Sequence, residues 1–217
     1  MTIKKQRTYI YVDGFNLYYG VLKNTPYKWL DLMSLFQKLL NDSHDIQAIK
    51  YYTARISVRD NHQQAPIKQQ IYIRALQTYI PECSVYYGHY LTHAVTLPLV
   101  HNSNTKKRQF VNVLKSEEKG SDVNLAVHLL NDAWLDKYDC AVIVSNDSDL
   151  SESMKLVKEQ HKKTIGLITP SNNHNRKPTQ MLRQYADFIK YIRKGILNDS
   201  LLPNIIPGTK IHKPKNW

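Results

Sequence analysis

AVIVSNDSDLSESM (Ala141–Met154) begins as an unbroken apolar run, Ala141–Val144, and turns polar at Ser145. A short apolar run closed by a polar turn reads as a strand buried on both faces, the kind found in parallel sheets. The residues that follow, Leu150–His161, have helical spacing. The stretch is therefore a strand–turn–helix unit of an α/β sheet, and its turn holds two aspartates, Asp147 and Asp149. One carboxylate there is ordinary helix capping. Asp149, with Glu152 three residues on, fits a loose capping box, which leaves Asp147 without a local role.

The same alternation extends toward both termini. Thr8–Asp13 (TYIYVD) predicts a strand ended by a turn at Gly14–Asn16, Asp31–Leu40 a helix capped by Asp31, Ile46–Ile56 a strand, Pro66–Tyr79 a helix, and Ser84–Tyr90 a strand. Beyond the quoted stretch, Thr164–Thr169 predicts another strand and Thr179–Lys194 a closing helix. In Ser121–Leu135, Val123, Ala126, Val127, Leu130 and Trp134 share one helical face, widened by Leu125 and Leu129, which predicts a deeply buried helix. Strands alternating with helices imply a mainly parallel sheet with crossover helices. The segment 91–119 breaks the rhythm: TLPLV and FVNVL flank the basic tip HNSNTKKRQ (His101–Gln109), as expected of a β-hairpin or extended arm. The chain divides into a domain over 1–195, with this arm inserted at about 91–119, and a basic tail over 196–217. Pro203, Pro207 and Pro214 predict that the tail is extended or partly disordered.

The chain has 217 residues, enough for one domain with a sizeable core, and no apolar run of membrane-spanning length. Cys83 and Cys140 lie far apart in apolar settings, which suits buried thiols in a reducing, cytoplasmic compartment. Thirty Lys and Arg against 18 Asp and Glu give a formal charge of +12, which favours a polyanionic partner, and 15 tyrosines supply rings that stack on bases. No membrane partner is implied. GxGxxG, Walker A, HExxH and zinc-ligand spacings are absent. A haloacid-dehalogenase-like phosphatase would need a second aspartate where Phe15 stands.

In an open parallel sheet ligands bind outside the carboxyl ends of the strands. Asp13 ends the first strand, Asp147 and Asp149 follow the apolar one, and Asp122 opens the helix before it. Singly, each fits an ordinary turn or cap. Together they crowd negative charge, which raises carboxylate pKa values unless a cation intervenes, and hard oxygen donors suit Mg²⁺ or Mn²⁺. An acidic pocket in a basic protein then fits a metal-dependent nuclease held to its polymer by surface charge.

YIYVDGFNLYYG (Tyr9–Gly20), EEKGSDVNLAVHLL (Glu117–Leu130) and AVIVSNDSDL (Ala141–Leu150) together resemble the NYN-domain family of the bacterial PIN-like nuclease superfamily, as does PTQMLRQYADFIKYI (Pro178–Ile192). The resemblance implies a PIN-like three-layer α/β/α fold and metal-dependent nuclease chemistry, usually on RNA. It makes Asp13, Asp122, Asp147 and Asp149 the catalytic, metal-binding acids, with Asn16 supporting the first or touching substrate. The family's usual Gly-Asp-Ser-Asp turn is here Asn146-Asp147-Ser148-Asp149. Lys119, Ser145 and Ser148 are candidates to meet the scissile phosphate, and Lys106, Lys107 and Arg108 to grip the backbone. The arm from Leu91 to Val113 is a candidate homodimer contact. The alternatives are a non-catalytic RNA-binding or regulatory module with a structural metal, and a phosphatase acting on small nucleotides.

Overall fold

The computed structural model describes residues 5–57, 63–100, 109–171, 177–215 and 217. Strand β1 (Gln6–Asp13) runs straight into helix α1 (Gly14–Leu17), which widens into a π-type turn through Leu22. There follow α2 (Leu32–Leu39), β2 (His44–Ala54), α3 (Ala65–Tyr79), β3 (Cys83–Pro98), β4 (Phe110–Lys119), α4 (Ser121–Trp134) and β5 (Cys140–Val144). The described chain closes with α5 (Ser151–Gln160), β6 (Thr164–Thr169), α6 (Gln180–Arg183), β7 (Phe188–Tyr191) and α7 (Lys194–Asn198).

Among the described residues, seven strands form one sheet in the order β4-β3-β2-β1-β5-β6-β7. Neighbours pair in parallel except β3 and β4, which form an antiparallel hairpin from His89↔Lys119 to Pro98↔Phe110. Strand alternation sends Ile10 and Val12 to one face, where Leu17, Leu35, Phe36, Leu76 and Leu197 cover them. Tyr11 goes to the other face, under Leu125, Leu129, Met154, Val157 and Leu182. The result is the expected three-layer α/β/α fold with a mainly parallel sheet and a hairpin. Both cysteines are free and buried.

Several segments differ from their sequence reading. The hairpin is built on the sheet, since β3 runs unbroken from Cys83 out to Pro98 and pairs with β4 from His89 onward. On α4, Val123, Val127 and Trp134 are exposed, and the buried line is Ser121, Leu125, Leu129, Asp132 and Ala133. An aspartate in the middle of that line hid it. Asp132 is 1% exposed because Tyr11 (2.8 Å), Lys137 (3.2 Å) and Lys50 all donate to it.

The expected closing helix is instead α6, β7 and α7. Asp187 fixes the start of β7 by donating its N–H to the Ile165 carbonyl (2.7 Å) and accepting from the Ile165 N–H (2.8 Å). The Phe188 ring lies over Gly166, where a Cβ would come within 2.3 Å of it. Beyond α7 the tail is irregular and packed rather than loose. Leu197, Leu202 and Ile206 are buried against the α2 layer, the Trp29 indole N–H donates to the Pro203 carbonyl (2.9 Å), and Trp217 packs edge-on against Trp29. The prolines stop regular structure here without stopping burial.

Candidate active site at the switch between the two halves of the sheet

From β1 the chain proceeds outward through β2 and β3, and from β5 through β6 and β7 in the opposite direction. The crevice between β1 and β5 is thus where the strand order reverses, the usual ligand site of such sheets. Val12 pairs with Val144, so Asp13 and Ser145 leave the two strands side by side.

Asp13 is 2% exposed. Its carboxylate accepts from the Asn16 N–H (2.9 Å), the Asn16 Nδ2 (2.5 Å) and the Ser145 hydroxyl (2.8 Å). Burial raises its pKa, the three donors pull it back, and the charge of Asp147 raises it further. Asn16 Oδ1 accepts from the Asn146 N–H (3.3 Å), tying α1 to the end of β5. The Ser145 hydroxyl also accepts from the Asp147 N–H (3.0 Å). Ser145 is buried with both functions engaged, so it positions Asp13 and the turn instead of meeting substrate as expected.

The capping roles are the reverse of the sequence reading. Asp147 is the cap of the 3₁₀ turn Ser148–Leu150, accepting from the Asp149 N–H (3.0 Å). Asp149 is exposed, and among the described residues its carboxylate accepts no hydrogen bond. At α4, neither Ser121 nor Asp122 caps the helix. The N-cap is Gly120, whose φ of 95° turns the chain sharply out of β4. Glu118 accepts from the Ser121 N–H (3.1 Å) and hydroxyl (2.7 Å). Asp122 is left half-buried without a capping bond. Burial, then the charges of Asp13, Asp147, Glu118 and Asp149, push its carboxyl up to about 6.

Asp13, Asn16, Glu118 and Asp122 line a pocket of about 330 Å³, together with Phe15, Tyr19 and Tyr90. Asp147 and Asp149 stand outside that lining and act on it through their charge. Glu118 and the three rings were missed from the sequence. The signal for Glu118 was a carboxylate three residues before the helix's first residue. Lys119, expected at the phosphate, pairs with Glu117 at 3.2 Å and does not line the pocket. Ser148 is half-buried in the acid turn. Lys106, Lys107 and Arg108 lie outside the described residues.

The NYN domain profile matches residues 7–192. The chain belongs to the NYN-domain family. That places it in the PIN-like nuclease superfamily, whose members generally use divalent metals. This NYN domain is also 32% identical, over a 234-position alignment spanning 97% of the chain and 75% of the relative, to the 6-hydroxy-3-succinoylpyridine 3-monooxygenase HspA of Pseudomonas putida (strain DSM 28022 / S16). A crystal structure of a protein of unknown function from Vibrio parahaemolyticus RIMD 2210633 has the same fold, with a TM-score of 0.53 at 16% identity, covering 93% of this chain and 99% of that one. No helix among the described residues is long and apolar enough to cross a membrane.

Proposed function

We propose that this NYN domain is a Mg²⁺- or Mn²⁺-dependent nuclease that hydrolyses phosphodiester bonds, with RNA as its polymer, cut internally. The observation that carries the reading is the division of labour among the acids. Asp13 and Asp147 hold backbone, whereas Asp122 and Asp149 have no such work, and the charge on Asp122 is opposed by four other carboxylates. Among the described residues no cation pairs with Asp122 or Asp149.

The donor chemistry suits a hard cation, because every group is a carboxylate or a neutral oxygen donor. Among the described residues no three acids are grouped tightly enough to ligate one ion as they stand. An ion bound there would therefore keep several waters and be held partly through them. Asp13, Asp122 and Asp147 would hold it, with Asp149 completing the site. When bound, such an ion activates water and offsets charge on phosphorus in the transition state. The Asn16 and Ser145 donors favour the ionised form of Asp13 against its burial and aim it, and Glu118 fixes the first turn of α4 and with it Asp122. Of the two serines expected at the phosphate, Ser148 is the one whose hydroxyl is left for a phosphate oxygen. Lys106, Lys107 and Arg108 would hold the polymer backbone, giving salt-sensitive affinity.

The test is cleavage of labelled single-stranded RNA with Mg²⁺, Mn²⁺ or EDTA, beside Asp147→Asn. The amide keeps the oxygen that caps the turn, so the variant should fold, bind RNA and fail to cut. Tight binding without cutting under any condition would instead establish the non-catalytic RNA-binding module. A second reading, oxygenation of a hydroxylated pyridine, is favoured by the name of the Pseudomonas relative. Dioxygen uptake with 6-hydroxy-3-succinoylpyridine and a reduced nicotinamide as electron donor, with no action on RNA, would replace the nuclease reading.

A further inference from the structure

A second cavity, of about 730 Å³, opens beside the acid pocket. Its size falls in the range of about 300–1,000 Å³ typical of small-molecule sites. Phe15, Tyr19 and Tyr90 line both cavities and form the partition between them. Phe15 and Tyr19 are four residues apart on the winding that follows Asp13, so they stand on one face of it. Tyr90 meets Phe15 edge-on, with ring centroids 6.0 Å apart. Tyr18 and Trp217 add rings to the larger cavity's wall, and Tyr18 packs edge-on against Tyr19 at 5.2 Å.

The polar groups there are of a definite kind. Gln63 and Gln64 bring exposed side-chain amides, which offer both a donor and an acceptor, and Lys28 brings a cation. Lys23 also sits over the Tyr19 ring, 4.9 Å from its centroid. Among the described residues no aspartate or glutamate lines this cavity, although its neighbour is lined by three. Flat aromatic walls, amides at the rim and a cation suit a flat heteroaromatic ring with hydrogen-bonding edges attached to an anion.

We infer that this cleft holds one unstacked nucleobase of a single-stranded nucleic acid, next to the phosphate that enters the acid pocket. The inference rests on the nuclease reading of that pocket and adds the form of the substrate. A base in a duplex keeps both faces on its neighbours and cannot insert between rings, so the cleft selects single strands or an extruded base. Tyr19, 59% exposed and shared by both cavities, is the ring best placed to stack without supporting the core.

The test measures binding, with cutting suppressed. Fluorescence anisotropy of wild-type protein in EDTA would use a short single-stranded RNA, the same RNA in a duplex, and a series carrying one abasic position walked along the strand. One abasic position should weaken binding about 5- to 150-fold, the span of base–aromatic stacking. Tyr19→Ala should reproduce that loss, Tyr19→Phe should restore it, and abasic substitution should add nothing in the Tyr19→Ala background. The duplex should bind more weakly than the single strand. A flat abasic walk, unchanged affinity in Tyr19→Ala with an unaltered melting temperature, or no measurable binding of any strand would each overturn the inference. Cutting with a flat walk would overturn the base site alone. A position-specific abasic loss without cutting would overturn the nuclease reading alone.

Discussion

Replacing Asp122 by Asn should make the metal-free protein more stable at neutral pH. The carboxyl has moved from an ordinary 3.8 to about 6 because burial and four neighbouring carboxylates oppose its charge. At about 1.4 kcal/mol per pH unit, holding it ionised in the folded state costs at most about 3 kcal/mol. The pocket is open to solvent, which screens part of this, so about 1–2 kcal/mol is the expected gain. For a chain of this size that is a rise in Tm of about 2–8 °C.

The sign follows from proton linkage. The folded state holds the Asp122 proton more tightly than the unfolded one, so the cost of this one group is full above about pH 6 and vanishes as pH falls toward 4. The advantage of Asp122→Asn should therefore be full at about pH 7.5 and mostly gone near pH 4. Urea unfolding in EDTA at both pH values measures it, and added Mg²⁺ should stabilise the wild type more than the variant. A variant less stable than wild type at neutral pH, or an advantage that persists in acid, would refute the claim that unrelieved carboxylate repulsion dominates the site.

Asp132→Asn should do the opposite, costing about 3–5 kcal/mol in urea unfolding, because Lys50, its side chain only 12% exposed, is left beside a neutral amide. Leu202→Ala should cost about 2–5 kcal/mol, read from the same denaturation curves, since the side chain is 3% exposed against the α2 layer. No loss there would mean that the residues after Gly195 contribute nothing to the fold.

How much of this was legible depended on whether a residue's partners were close in sequence. β5 could be read outright because all five of its positions are buried, and so short an apolar run between polar segments fits a central strand far better than a helix. Asp13 and Asp147 could be placed on one edge because parallel topology alone puts them there. β7 could not be read. Its four residues sit inside a stretch with helical spacing, and what makes them a strand is Asp187 reaching Ile165 and Phe188 lying over Gly166. The swap of roles between Asp147 and Asp149 was equally hidden. A cap onto the N–H two residues on belongs to a 3₁₀ entry and a cap three residues on to an α-helix, and the spacing of acids fits either.

Two acids of α4, buried Asp132 and half-buried Asp122, show what separates a compensated carboxylate from an uncompensated one. Asp122 and Asp132 lie on the same helix, about 15 Å apart at 1.5 Å per residue. Their carboxyls move in opposite directions, Asp122 upward and Asp132 downward. Burial raises both, so burial is not the difference. Asp132 faces the ammonium of Lys50 from β2, the Tyr11 hydroxyl from β1 and Lys137 beyond the helix end, which together outweigh its desolvation. The charges that act most strongly on Asp122 are all carboxylates. The first arrangement is complete within the chain and pins α4 across the sheet. The second carries an excess of negative charge that folding does not neutralise, at the end of the same helix and over the switch point. A single helix anchored by one compensated acid can therefore present an uncompensated one at a fixed position, and that position is where a cation from outside the chain has most to gain.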